Sequence, residues 1–166
     1  MHMRKSMMLL MTMVLLLVVD RAQGETSIME AYDVQIRSGD AWLSLEKHML
    51  HAHENGRLAD GILFFAPLGE YIAAQDLPMV PCAAETAYQV IAEDPAVTLS
   101  VRCVIFDDAC QPVASVDTGL IPAERLPAGR YLLAIDVSAR DDARYASTRS
   151  FAWLIVGESK QEADVR

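Results

Sequence analysis

Three of the four histidines, His48, His51 and His53, fall within six residues, and Glu54 follows directly. Imidazole and carboxylate groups are ligands that zinc and copper accept. On a helix, His48 and His51 are three apart and share a face, and Glu54 lies three beyond His51; these three form the candidate metal set, while His53 points away. Lys47, four residues before His51, would oppose a cation there. The competing reading is a solvated polar helix face near a C-terminus, where histidine also suits the helix dipole. Zn or Cu is the cofactor these residues suggest, and nothing in the pattern requires one.

Other chemistry is less localised. The chain has no G-x-S-x-G, no G-x-x-x-x-G-K, and His53-Glu54 runs on as Asn55-Gly56-Arg57 rather than as H-E-x-x-H. Serine, histidine and aspartate are all present, but no local motif says which are neighbours, so a hydrolytic enzyme ranks third among the functions considered. The acidic pairs Asp107-Asp108 and Asp141-Asp142 could serve acid–base work or calcium, yet both fall at expected turns, where Asp bonds its own backbone. Trp42, Phe64, Phe65, Tyr71 and Trp153 could line a groove; at alternating or helical spacing such residues more often belong to a core. The three cysteines allow at most one internal bridge, Cys82 with Cys103 or with Cys110. Cys103 shares an alternating face with Val97, Leu99 and Val101, which suits a buried thiol equally well.

The elements that must position these groups follow a leader. Arg4 and Lys5 precede the apolar stretch Met7 to Val19, and Ala22-Gln23-Gly24 supplies small residues for a cut after Gly24. This is the layout of a secretory signal peptide over residues 1–24, and its 13-residue apolar stretch is shorter than the roughly 20 residues of a spanning helix. Residues 25–166 keep 11 basic and 22 acidic groups, a formal charge of -11. Such a surface repels phosphate backbones and anionic headgroups, which excludes nucleic acid as the natural partner. Export also allows disulfides to persist.

Tyr32, Val34 and Ile36 alternate with polar residues and predict a strand. Trp42, Leu45, Met49 and Leu50 recur at helical spacing, with Asp40 to cap and Asn55-Gly56 to stop, and predict one helix over residues 41–53; a strand through Leu43 and Leu45 competes. Residues 25–60 are thus expected to be a strand and a helix packed on a sandwich of residues 61–156. Its strands are expected at Ile62–Ala66, Thr86–Ala92, Val97–Phe106, Val113–Val116, Arg130–Ser138 and Thr148–Val156, with a polar loop at Ala139–Ser147. Residues 157–166 read as a polar tail. Turn signals every 8 to 12 residues suit a mainly β sandwich of about seven strands rather than βαβ units.

The string Leu126-Pro127-Ala128-Gly129-Arg130-Tyr131 ahead of a strand resembles the tyrosine-corner entry of Greek-key sandwiches of the immunoglobulin-like and fibronectin-type-III-like class, with Leu126, Gly129 and Tyr131 as the matching residues. The resemblance implies that the Tyr131 hydroxyl bonds back to the corner's backbone. The hairpin from Val104 to Val113 is similar to the V-x-D-x-x-G-x-x-V hairpin of bacterial extracytoplasmic sandwiches, with Cys110 where glycine is usual. Such a fold implies no activity.

The expected function is therefore that of a secreted or periplasmic, non-enzymatic binding or assembly module. Its partner would be another extracytoplasmic protein, with metal binding through the histidines as the alternative. N-terminal sequencing of exported protein is expected to begin near Glu25; an intact N-terminus recovered in the membrane fraction would overturn the cleaved-leader reading.

Overall fold

Where apolar and polar residues keep a period of two, the chain is extended, and the computed structural model shows this over most of its length. It describes residues 27–157, without the side chains of Ser38, Phe64 and Phe65; the expected leader and cut site and the expected tail beyond Gly157 lie outside the described residues. The strands are β1 (Tyr32–Ser38), β2 (Ala41–Ser44), β3 (His48–Glu54), β4 (Arg57–Asp60), β5 (Met79–Cys82), β6 (Tyr88–Ala92), β7 (Thr98–Phe106), β8 (Pro112–Val116), β9 (Gly129–Arg140) and β10 (Tyr145–Val156). Two short helices, α1 (Ile62–Phe65) and α2 (Leu68–Ala73), interrupt them.

Four expectations change here. The helix over residues 41–53 is instead β2, a short connection and β3. Asn55 and Gly56, taken as a helix stop, both have positive φ, 52° and 70°, which is the requirement of a tight hairpin turn between β3 and β4. The expected strand Ile62–Ala66 is α1, a four-residue apolar run whose period cannot separate the two states. The expected loop Ala139–Ser147 shrinks to residues 141–144, because β9 and β10 run on to meet it. The strand count is ten rather than about seven.

The ten strands form a small sheet of order β2-β1-β6 and a seven-stranded sheet of order β4-β3-β10-β9-β7-β8, with β5 parallel to β10 and every other pairing antiparallel. Alternation divides the large sheet into two faces. The inner face carries Ala146, Ala152, Leu154, Leu133, Ile135, Val137, Cys103 and Ile105, and packs with Val34 and Ile36 of β1 in one core. Tyr32 joins the two layers, its hydroxyl 2.6 Å from Thr148 Oγ1 in the buried interior. A second, smaller core of Leu63, Ile72, Leu132, Ala134 and Phe151 lies on the outer face beneath the two helices. Among the described residues no helix is long and apolar enough to cross a membrane.

At the expected corner, the Tyr131 hydroxyl donates to the Pro127 carbonyl at 3.0 Å. Tyr131 is half-buried against the main core. At the β7–β8 turn, Cys110 holds φ +56°, the left-handed conformation that glycine adopts without cost. Asp107 supports that turn by accepting from the backbone N–H groups of Ala109 and Gln111.

Burial ranks the two tyrosine hydroxyls. Tyr32→Phe leaves Thr148 without its partner inside the core and is expected to cost about 1–3 kcal/mol. Tyr131→Phe loses a bond at the surface and is expected to cost about 0.5–1 kcal/mol. Urea denaturation of both variants checks the order; equal midpoints would remove the interlayer role given to Tyr32.

Candidate functional site

The outer face of the large sheet is only half covered. Along β9 the outward residues run Leu132, Ala134, Asp136, Ser138, Arg140, so the face changes from apolar to polar within one strand. The apolar half lies under α1 and α2, and the polar half meets solvent. Pairing arranges the polar half in cross-strand rows. One reads His48, Arg149, Asp136, Arg102; the next Asp60, His51, Ser147, Ser138, Ser100; the third Leu58, His53, Tyr145, Arg140, Thr98.

A β-bulge decides which histidines reach this face. In β3 the register to β10 shifts between Ser147 and Thr148, so that Met49 faces Thr148, His51 faces Ser147, and Leu50 is the extra residue. Met49 packs on the main core and Leu50 on the outer one. The shift brings His48 and His51, three residues apart, to the same face, which an unbroken strand would forbid. Gly61 braces the bulge from β4's end: its N–H donates to the Leu50 carbonyl at 3.0 Å, and a Cβ there would overlap the Met49 carbonyl.

The candidate metal set separates on this strand. His48 is buried, with Nδ1 2.8 Å from the Tyr71 hydroxyl of α2 and the ring 5.5 Å from that of Phe151. Burial pushes its pKa below the ordinary histidine value, against an opposing pull from Glu46. His51 bonds Asp60 through Nδ1. Glu54 turns to the segment ahead of β1, accepting from the Ser27 hydroxyl at 3.0 Å and from the Ile28 N–H. His53 is exposed, and Lys47 donates to the carbonyls of Met29 and Tyr32. The helical spacing that would have gathered His48, His51 and Glu54 is absent, and among the described residues no three His, Cys, Asp or Glu side chains form a group that could hold a metal ion.

The remaining candidates have local partners. Cys82, Cys103 and Cys110 are free thiols. Cys103 lies in the core, where burial pushes its pKa up to about 12, and Cys110 lies on the outer side, within reach of Gly69 in α2. Asp141 caps its loop through the N–H groups of Ala143 and Arg144, and Asp108 pairs with Arg130. Tyr71 and Trp153 belong to the outer core. Trp42 is partly exposed on β2, with the Arg37 guanidinium 5.9 Å from its ring centre. Phe64 and Phe65 have side chains outside the described set.

Charge on the polar half differs from that of the chain as a whole. Arg149 grips Asp136 through a two-pronged contact, one prong Nη2 to Oδ2 at 2.9 Å. Arg102 flanks the same aspartate from β7, and Arg140 stands two rows further along the face, beyond the serine row, both exposed. Three guanidiniums and two carboxylates thus share a face of an otherwise acidic protein. Comparison of the chain with protein-family models, curated proteins and solved structures finds no match.

The row joining Asp60, His51 and Ser147 was not read from the sequence, although the signal was there. Asn55-Gly56 as a two-residue hairpin turn pairs Glu54 with Arg57 and, three pairs back, His51 with Asp60. Ser147 could be placed opposite them only by knowing the bulge.

The buried His48 makes stability pH-dependent. A histidine whose pKa is lowered on folding is held neutral, so its contribution is complete above the unfolded value near 6.5 and is lost as the pH falls through the folded value. Charged neighbours are Arg149 across the pair and Glu46 near the strand start. The thermal midpoint is expected to fall below pH 6.5 by more in the native protein than in His48→Gln; parallel curves would show that another group controls the acid limb.

Proposed function

We propose that this chain is an exported sandwich of the immunoglobulin-like class that acts as a recognition or assembly module for another extracytoplasmic protein. The Tyr131 to Pro127 bond supports the class, since it is the backward hydroxyl bond that a tyrosine corner makes. The basic and apolar organisation of residues 1–24 supports export.

One observation carries the recognition role: the large sheet leaves half of its outer face uncovered and lines it with polar and charged side chains in cross-strand rows. Adjacent strands hold these groups about 5 Å apart. Two of the guanidiniums, Arg102 and Arg140, face solvent across that sheet, so the partner is expected to present acidic or hydroxyl-bearing groups. The fold's own cores are complete without such a partner, and binding would therefore be surface docking rather than shared folding.

A photoreactive amino acid at position 138 in the exporting cell tests this, with position 35 on the opposite sheet as control. Position 138 is expected to give a discrete adduct that disappears when Arg102 and Arg140 are both changed to Glu, and position 35 is not. Equal adducts from the two positions, or an adduct indifferent to the charge reversal, would overturn the proposed surface.

A further inference from the structure

Asp60, His51 and Ser147 stand side by side on three adjacent strands, β4, β3 and β10. Directly opposed residues in antiparallel strands have Cβ atoms about 4.5–5.5 Å apart, which brings both neighbours of His51 within reach of its ring. The ring is already committed on one side: Nδ1 bonds Asp60 Oδ1. With the proton held at Nδ1 by a carboxylate, the neutral ring presents Nε2 as a base. Among the described residues Ser147 Oγ makes no hydrogen bond, so its hydroxyl is free to turn toward that nitrogen. The bulge sets His51 opposite Ser147, and bulges commonly re-aim side chains beside reactive sites.

We propose that Ser147 is an activated nucleophile, with His51 as its general base and Asp60 as the positioning residue that fixes the ring. This goes beyond the recognition role and does not depend on it. The substrate class follows from the setting. His51 and Asp60 side chains are 37% and 41% exposed, so the row sits on an open face and not in an enclosed cavity. It suits a carboxylic ester displayed on a flat or extended molecule, held by the flanking Arg102 and Arg140 when that molecule is anionic.

The steps balance with water as the only co-reactant. Ser147 Oγ bonds to the acyl carbon while its proton passes to His51 Nε2. The carbon–oxygen bond to the leaving alcohol then breaks, and that oxygen takes the proton from Nε2. Water repeats the sequence on the acyl-serine, giving the carboxylic acid and restoring the Ser147 hydroxyl. Tyr145, two residues before Ser147 on the same face, has its ring 6.1 Å from that of His51 and walls one side of the row.

A fluorophosphonate probe, followed by peptide mapping, tests the nucleophile on the mature protein, with p-nitrophenyl acetate as the turnover substrate. Labelling is expected at Ser147, lost in Ser147→Ala, and slowed at least tenfold in His51→Gln and Asp60→Asn with the thermal midpoint retained. Should these variants fold poorly, Ser147→Cys and Ser138→Cys provide the second measurement. Iodoacetamide is expected to alkylate residue 147 at least tenfold faster than residue 138, and to lose that advantage when His51 is removed. Absence of label at Ser147, equal labelling of Ser138 and Ser100, or equal alkylation of the two cysteines would overturn the proposal.

Discussion

Twelve consecutive residue pairs between β9 and β10, from Gly129 with Val156 to Arg140 with Tyr145, fix the position of nearly everything else. Nine pairs tie β7 to β9, while β3 and β5 share the far edge of β10 at opposite ends. Because the side-chain period is two, a slip of one residue anywhere in this ladder would exchange the inner and outer faces. Both faces resist that exchange at once. Leu133, Ile135 and Val137 are fully buried on one side, and Leu132 and Ala134 on the other. The register is thus over-determined in the middle of the sheet, and the bulge in β3 can be tolerated only at its periphery, where Gly61 backs the strand without a side chain.

That arrangement explains which parts of the fold were legible in the sequence. The segments of β7, β9 and β10 read as strands because they alternate where one face meets solvent and run continuously apolar where both faces are buried. The Tyr131 bond to the Pro127 carbonyl was announced by the five residues before it, Leu126 to Arg130. β3 did not keep its period, since the extra residue Leu50 places His48, Leu50 and His51 together on one face and so imitates the i, i+3 spacing of a helix. The same bulge made a metal set look plausible and then dispersed it. α1 was lost for another reason. Its four residues cover an apolar patch, so they are apolar themselves, and a run that short reads the same in a strand or a helix.

The polar half of the outer face has to be read from pairing, because its residues come from five separate strands. Ser100, Ser138, Ser147, His51 and Asp60 are spread through the sequence, and apart from the hairpin turn that pairs His51 with Asp60 no local spacing joins them. Composition even points the wrong way locally, since a chain of net charge -9 places three guanidiniums on one exposed surface. The Arg149 to Asp136 fork serves as the hinge of that surface's charge. It neutralises one guanidinium within the sheet and leaves Arg102 and Arg140 to face whatever approaches.

Position on the sheet, rather than residue type alone, separates the two histidines that share this face. His48 lies at the boundary with the apolar half, beside Phe151 and under Tyr71, where water is excluded and the neutral ring is favoured. His51 lies one row further out, beyond the reach of the helices, with a carboxylate on one side and a serine on the other. Leu50 sits between them in the chain and closes the outer core, so the bulge is also the border between covered and open sheet. A single inserted residue therefore does two things. It assigns one histidine to packing and presents the other, already oriented by Asp60, to the surface where a ligand could meet it.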